Sequence, residues 1–416
     1  MRIVHSDCSW MMNCFPPYHI YAMNAYRISL IIISMGLLAS CDKNKVHEPM
    51  ADSGRTLRTE ILNDNLKALG DSNVYMFGHH DDTVYGIGWE SDYSNDSTVH
   101  QRSDVHSVCN DFPAVFSFDL GHIELGDERN LDSVPFSRIR QEIIAHFDRG
   151  GLITLSWHLD NPLSGGSAWV ADTLIDTETH TVEAVLKGGQ CHEMFLEWLD
   201  RVADFLNSLE TPYGIKVPVL FRPWHEHTGS WFWWGKDHCT AEQYKALWNL
   251  TVKHLEKRGV VNALYAYSPN GMKDQTKEVL MERYPGDDII DLIGYDYYCN
   301  AEKGDTTAVA KYADDLDKGL SLICEAAQEH HKAVALTETG FECIKTPAWW
   351  TQTLAPVLAK HPISYVLVWR NAHNRQNHFF APYPGHISSS DFIRFYNDPR
   401  TLFLKDVNAL YLERKK

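Results

Sequence analysis

Eight short apolar runs, each stopping at residues able to do chemistry, recur along the chain and limit what it can fold into. They fall at residues 74–77, 114–118, 152–155, 217–221, 263–267, 291–294, 333–337 and 365–368. At or just past their ends stand, in order, His79 and His80, Asp119, Trp157 and His158, Trp224 to Glu226, Ser268 to Asn270, Tyr295 to Tyr298, Glu338, and Trp369 to Asn371. Four or five apolar residues bounded by polar turns are the pattern of a strand buried on both faces. Between the runs, apolar residues at helical spacing predict helices over 57–69, 137–149, 191–209, 241–258, 307–330, 347–360 and 388–396. The clearest is 191–209, with Met194, Phe195, Trp198, Leu199, Val202, Phe205 and Leu206 on one broad face. The 241–258 helix opens on Thr240 with Gln243 three residues later, a capping-box spacing, and stops at Gly259.

Alternating buried strands and helices mean a parallel sheet covered on both sides, either an open doubly wound sheet or a closed eightfold barrel. An open dinucleotide-binding sheet concentrates its signal in one glycine-rich turn after the first strand, and no GxGxxG turn is present. A barrel draws its site from the ends of many strands, as here. The expectation is therefore an α/β chain, a (β/α)8 TIM barrel forming a single catalytic domain over residues 57–416. Residues 161–189 have no strong periodicity, come after the third strand, and read as an extended loop over the cleft.

The formal net charge of −17 leaves no basic stripe to displace counterions, which argues against nucleic acid or an anionic membrane surface and for a neutral or cationic substrate. Near the start, Arg27 precedes an apolar run at 28–38 that is too short to span a bilayer and ends in Leu38-Ala39-Ser40-Cys41. That resembles a bacterial lipoprotein signal. The resemblance implies translation from Met23, cleavage before Cys41, a lipid on the Cys41 thiol, a leader over 1–41 and a polar tether over 42–56. Six further cysteines lie outside the leader without a CxxC pair, and are expected to be mostly free.

Residues 221–234 read FRPWHEHTGSWFWW. A strand that stops at Pro223 and then sets Glu226 among Trp231, Phe232, Trp233 and Trp234 suits sugar chemistry, because indole faces stack on the C–H faces of pyranose rings. A second glutamate, Glu338, ends the seventh run, and on a barrel the fourth and seventh strand ends face one another across the mouth. Retaining glycoside hydrolysis uses two carboxyls about 5–5.5 Å apart, one protonated and one ionised. Ionised Glu338 is expected to raise the pKa of Glu226 by like-charge proximity. The His225-Glu226-His227 triplet lacks the HExxH spacing that aims two imidazoles at one metal, so no metal ligand is assigned.

In combination, WHEHTGSWFWW, LTETG, GHHDDTVYGIGW after the first strand, SWH after the third, YPGDDIIDLIGYDYY at the sixth and VWRNA at the eighth make the chain similar to glycoside hydrolase family 26, most of all to its β-mannanases. The resemblance covers about residue 57 to the C-terminus and implies retaining, double-displacement cleavage of β-1,4-mannosidic bonds in mannan or manno-oligosaccharides, without a cofactor; with the lipoprotein signal, the expectation is a lipid-anchored monomer of the bacterial cell envelope. It implies Glu226 as acid/base, Glu338 as nucleophile, His225 beside the acid, and Tyr298 hydrogen-bonded to the nucleophile. If the sixth strand stays regular, Tyr298 rather than Tyr297 points the same way as Asp296. His158, Trp231, Trp369 and Arg370, with Trp89 and His80, are implied as substrate-binding. Asp119, Asn270 and Asn374 stay open between structural and functional readings. Open too are β-glucanase or β-1,3-xylanase activity, mannobiose release from chain ends, and a non-catalytic glycan-binding lipoprotein.

Overall fold

A computed structural model describes residue 46 and residues 48–170, 180–272 and 275–414 of the chain. The eight apolar runs are eight parallel strands: β1 (Tyr75–His80), β2 (Val115–Asp119), β3 (Leu152–Ser156), β4 (Val219–Arg222), β5 (Ala263–Tyr267), β6 (Leu292–Cys299), β7 (Ala333–Phe341) and β8 (Tyr365–Val368). Each pairs with the next, and β8 returns to β1 with Met76 opposite Tyr365 and His79 opposite Val368, so the sheet closes. A two-residue strand, β9 (Thr401–Leu402), pairs with the start of β1. Strands β1 to β5, β7 and β8 are buried at every position, as a sheet walled by helices and filled inside by its own side chains requires.

The covering helices form where one face is apolar. In His192–Ser208 the buried positions are Phe195, Trp198, Leu199, Val202, Ala203, Phe205 and Leu206, a stripe repeating every three to four residues, whereas Met194, expected on that face, lies in the first turn and is exposed. In Ala241–Lys257 the expected cap is made: Thr240 accepts from the Gln243 amide and the Gln243 side chain accepts from the Thr240 amide. Gly259 comes next with φ +77, which a glycine adopts without strain.

Three expectations need correction. Strands β6 and β7 run on to Cys299 and Phe341, because they stay paired as far as that register. Residues 48–56, expected to belong to a free tether, are packed where the strands begin. Arg55 makes a two-pronged ion pair with Asp291 (2.7 and 2.9 Å), Arg58 meets Glu48 (2.9 Å), and the Thr56 amide donates to the Val261 carbonyl. The 161–189 stretch is not one extended loop: it contains the helix Thr181–Val185, and residues 168–170 add a strand-like edge to residues 231–233. The leader over 1–41 with Cys41, the tether residues 42–45 and 47, and residues 171–179 of that stretch lie outside the described residues.

Candidate active site

Strand β4 carries its apolar run into Arg222, and Pro223 ends it, since proline has no N–H for the ladder. The next turn puts Trp224 (φ 57) and Glu226 (φ 54) in the left-handed region. That costs a residue with a Cβ about 1 kcal/mol or more, and it persists only where surroundings enforce it. Here they do. Tyr244 Oη donates to the Trp224 carbonyl (2.5 Å), Trp234 Nε1 to the His225 carbonyl (2.8 Å), and the Glu226 amide to the Ser268 carbonyl (2.8 Å). The turn swings the Glu226 carboxyl into the barrel mouth, where Oε2 accepts from Trp231 Nε1 at 2.7 Å. Asn270, at the end of β5, braces the same loop: its Oδ1 accepts from Thr228 Oγ1 (2.6 Å) and the Gly229 amide (2.8 Å).

Across the mouth, β7 carries a bulge. Leu336 lies opposite Tyr295 and Glu338 opposite Asp296, so β7 spends one residue more than β6; it does the same against β8, between Val366 and Val368. The extra residue lets consecutive side chains, Thr337 and Glu338, both turn inward, a known use of bulges beside active sites. Thr337 Oγ1 donates to Asp296 Oδ1 (2.6 Å). Gly294 makes room, since a Cβ there would fall 2.4 Å from Thr337 Oγ1.

Arg222 joins the two sides. From its buried position Nη1 donates to Asp296 Oδ2 (2.8 Å) and Nη2 to Glu338 Oε1 (2.7 Å). One carboxylate oxygen from each of Glu226, Asp296 and Glu338 lies within 4.8 Å of the others. Three carboxylates so close could hold a cation, but a guanidinium already bonds two of them, and His225 and His227 point into the protein instead of converging on the cluster. With one arginine among three acids, like charge favours keeping a proton in the cluster; burial pushes Asp296 up to about 8 against the pull of Arg222, and Glu226 is the acid without a hydrogen bond from Arg222 among the described residues. Burial first, then the charges of Glu338 and Asp296, hold the Glu226 carboxyl well above the usual carboxylate range, against the pull of Trp231 and Arg222. Like-charge proximity, the cause expected from the sequence, is therefore the smaller of the two, and burial the larger.

The cleft over these carboxylates measures about 470 Å³. Its wall includes Trp231, Trp369, His158 and Tyr298 from the expected set, together with Trp169 and Phe380. Tyr297 sends its hydroxyl outward to Asp315 (2.8 Å), whereas Tyr298 faces the cleft with its ring edge-on to Phe380. Among the described residues the expected bond from Tyr298 to Glu338 is not made; the donor on Glu338 is Arg222. Four other expected residues lie behind the wall. His225 is buried and meets His158 (Nε2 to Nε2, 3.0 Å). His80 is buried, with its ring stacked 4.0 Å beneath Trp369. Trp89 gives its N–H to Asp104 (2.8 Å) and is covered by Arg102. Arg370, expected to meet sugar hydroxyls, is closed on Asp132 and on Tyr85 Oη (3.1 Å), because a buried guanidinium takes the nearest carboxylate. Asn374 is exposed and away from the wall.

Sequence reasoning missed Arg222 and Trp169. The signal for the first was a charge closing an apolar run; the second had none before the 168–170 edge was seen against residues 231–233. A larger cavity, about 830 Å³, opens at the other end of the barrel beside Lys67, His331 and Lys360, but its acids, Asp71, Asp317 and Glu325, are not drawn together as Glu226, Asp296 and Glu338 are.

A parallel barrel with two glutamates facing each other across its mouth, one whose carboxyl is held above the usual range and one bound by an arginine, has the build of a glycoside hydrolase of the two-carboxylate class. Residues 52–328 match the family model described as Glycosyl hydrolase family 26. The chain belongs to that family. It is 29% identical over 380 residues to a mannan endo-1,4-beta-mannosidase of Bifidobacterium adolescentis, covering 87% of this chain and 36% of that one. A mannan endo-1,4-beta-mannosidase of Bacillus subtilis (strain 168) is 28% identical over 215 residues, covering 50% of this chain and 56% of its own length. The chain thus spans from about a third to just over half of these two curated relatives. Among solved structures, a β-mannanase of the family from Bacteroides ovatus is 50% identical, with a TM-score of 0.80, covering 87% of this chain and 99% of that one.

Proposed function

We propose that this chain is a retaining glycoside hydrolase of the mannan endo-1,4-β-mannosidase type, cleaving β-1,4-mannosidic bonds in mannans by double displacement. The observation that carries the reading is the separation of Glu226 and Glu338, whose nearest-placed oxygens lie within 4.8 Å of one another. That leaves no room for the water an inverting enzyme needs between its carboxyls. Glu338, its Oε1 fixed by Arg222, attacks the anomeric carbon while Glu226 gives its proton to the departing glycosidic oxygen. Forming the glycosyl ester removes the charge on Glu338, one of the causes that keep Glu226 protonated. Glu226 then accepts a proton from the water that frees the sugar. Mannan as substrate is supported by the named activity of the relatives. Trp231 and Trp369 serve as stacking faces and His158 as a polar contact to the sugar.

Proton NMR of freshly released product should show retained β configuration, and reducing ends should form on mannan faster than on mixed-linkage glucan or xylan. Inversion, or no turnover of any mannan, overturns the reading. We also infer a monomer, and a lipid on Cys41 that holds it at the bacterial envelope; the lipid is supported by the Leu38-Ala39-Ser40-Cys41 sequence. Replacing Cys41 by Ser should move the protein from the membrane fraction to the soluble one.

A further inference from the structure

From the cleft wall at His158 into the barrel, three side chains from or just past three strand ends form a continuous hydrogen-bonded line. Asp119, at the end of β2, is buried and has both oxygens fully engaged. Oδ1 accepts from the Gly121 amide (2.7 Å) and the His158 amide (3.2 Å). Oδ2 accepts from Ser156 Oγ (2.6 Å) and meets His158 Nδ1 (2.6 Å). With four contacts and no space for a proton, Asp119 is a carboxylate, and His158 Nδ1 must be an N–H. The far nitrogen of His158 meets His225 Nε2 at 3.0 Å, and two ring nitrogens at that distance share one proton. The other nitrogen of His225 is buried, turned toward the backbone carbonyl of Arg222, and makes no well-formed hydrogen bond among the described residues.

One protonation pattern fits this line better than the other. If His158 carries protons on both nitrogens, it donates to Asp119 and to His225. His225 then keeps its single proton on Nδ1, facing the Arg222 carbonyl. If His158 has a single proton, His225 must donate back, and its bare Nδ1 opposes a carbonyl oxygen. The first pattern sets a donor against that carbonyl and favours the observed end of β4; the second sets two acceptors against each other.

We propose that Asp119 is a positioning residue for the catalytic pair, acting through His158 and His225 on the β4 end that carries both Glu226 and the arginine gripping Glu338. The inference rests on the two-glutamate reading and adds to it a residue that touches no substrate. The surrounding charges agree. Burial works to strip His158 of its proton, but Asp119, and more weakly Glu338, outweigh it and raise its pKa above the ordinary imidazole value. Burial, Arg222 and His158 hold His225 well below that value, so the shared proton stays on His158. The groups facing His158 are Asp119 from β2, Glu338 from β7, Arg222 from β4 and His225 just past it, His80 from β1 and Asp132 after β2. Because its folded pKa is raised, what protonated His158 contributes is complete below the ordinary imidazole range and is lost as pH climbs through the raised value.

The test uses an aryl β-mannobioside with a leaving group that needs no proton, so that Glu226 drops out of the glycosylation step. The wild-type rate on this substrate should fall at alkaline pH with a single ionisation, that of His158. In Asp119→Asn the fall should move about 1–3 pH units lower, the size expected for losing an adjacent charge. In His158→Gln, which keeps an amide donor but cannot titrate, the fall should vanish, with KM changed less than kcat. Nitrogen-15 NMR of the histidine rings in wild type and Asp119→Asn, together with their melting curves, reads the proton on His158 independently of activity and reveals a variant that has not folded. A folded Asp119→Asn enzyme with an unmoved alkaline limb and an unmoved His158 titration overturns the proposal. A wild type that leaves the aryl mannobioside intact would instead count against the hydrolase reading.

Discussion

Two arginines close strands on opposite sides of the barrel mouth, and both are buried against acids, yet only one of them holds acids that line a cleft. Arg222, ending β4, grips Asp296 and Glu338, and Glu338 forms part of the cleft wall. Arg370, just past β8, grips Asp132 and Tyr85, whose hydroxyl bonds Asp81, and all three partners are buried away from that wall. On this second side Asp81 Oδ1, Asp132 Oδ2 and His80 Nε2 have no hydrogen-bond partner among the described residues. The ingredients are the same: an arginine, two acids and aromatic neighbours. What separates a reactive cluster from a bracing one is whether one carboxylate keeps an oxygen turned to a space that a substrate can enter.

The largest effect should come from removing that oxygen. Glu338→Ala should cut turnover of mannan by a factor on the order of 10⁴ or more while leaving the melting curve near wild type, since the lost side chain is an attacking group. Asp132→Ala should do the reverse. It leaves Arg370 buried without its main partner, which typically costs about 3–5 kcal/mol, so urea unfolding should show a large loss of stability. Its kcat, measured on the folded fraction, should stay within about tenfold of wild type. Equal catalytic losses in the two variants would erase the distinction.

Next in size is Glu226→Ala. General acid catalysis contributes about 10²–10⁴-fold, so mannan turnover should fall by that much. An aryl mannobioside with a good leaving group should lose far less in its first step and should accumulate glycosyl-enzyme visible by mass spectrometry. Arg222→Met falls on both sides of the comparison. It should lower kcat, because Glu338 is no longer aimed, and lower stability, because Asp296 and Glu338 are left buried without their cation. If it destabilises without slowing the folded enzyme, Arg222 belongs with Arg370 as a brace.

How far the sequence announces this contrast depends on how each feature looks one residue at a time. Eight buried parallel strands read as eight apolar runs, so the barrel is visible, and Glu226 and Glu338 are visible because each comes just after such a run. Arg222 is not, since a buried clamp and a surface arginine at a strand end look alike in one dimension. The bulge at Thr337 and Glu338 exists only relative to β6 and β8, and no pattern within β7 betrays it. Residues 48–56 are polar enough to look like a tether; their docking depends on Asp291, more than two hundred residues away. Arg370 and His80 sit at strand ends as the cleft residues do, and only the packing of Trp369 and the closure by Asp132 take them out of reach.

The smallest predicted effect tests whether a single hydrogen bond tunes the acid on the open side while its counterpart on the closed side tunes nothing catalytic. Trp231 Nε1 donates to Glu226 Oε2 at 2.7 Å, and this bond favours the ionised form, opposing the burial and like charge that raise the pKa. Trp231→Phe keeps an aromatic face for the sugar and removes only the donor. Glu226 should therefore hold its proton to still higher pH, by less than about one unit, as followed by carbon-13 NMR of labelled glutamate carboxyls. The sign carries into stability. A folded carboxyl that binds its proton more tightly than the unfolded chain makes the protein lose stability as pH rises from the ordinary carboxylate range through the raised value, and the variant should extend that loss upward. Tyr85→Phe removes the corresponding hydroxyl beside Asp81 and should leave the Glu226 titration where it was. A downward move in Trp231→Phe, or an equal move in Tyr85→Phe, would mean that the two clusters titrate as one, and that the boundary between reactive and bracing side chains at this mouth is not drawn by the cleft.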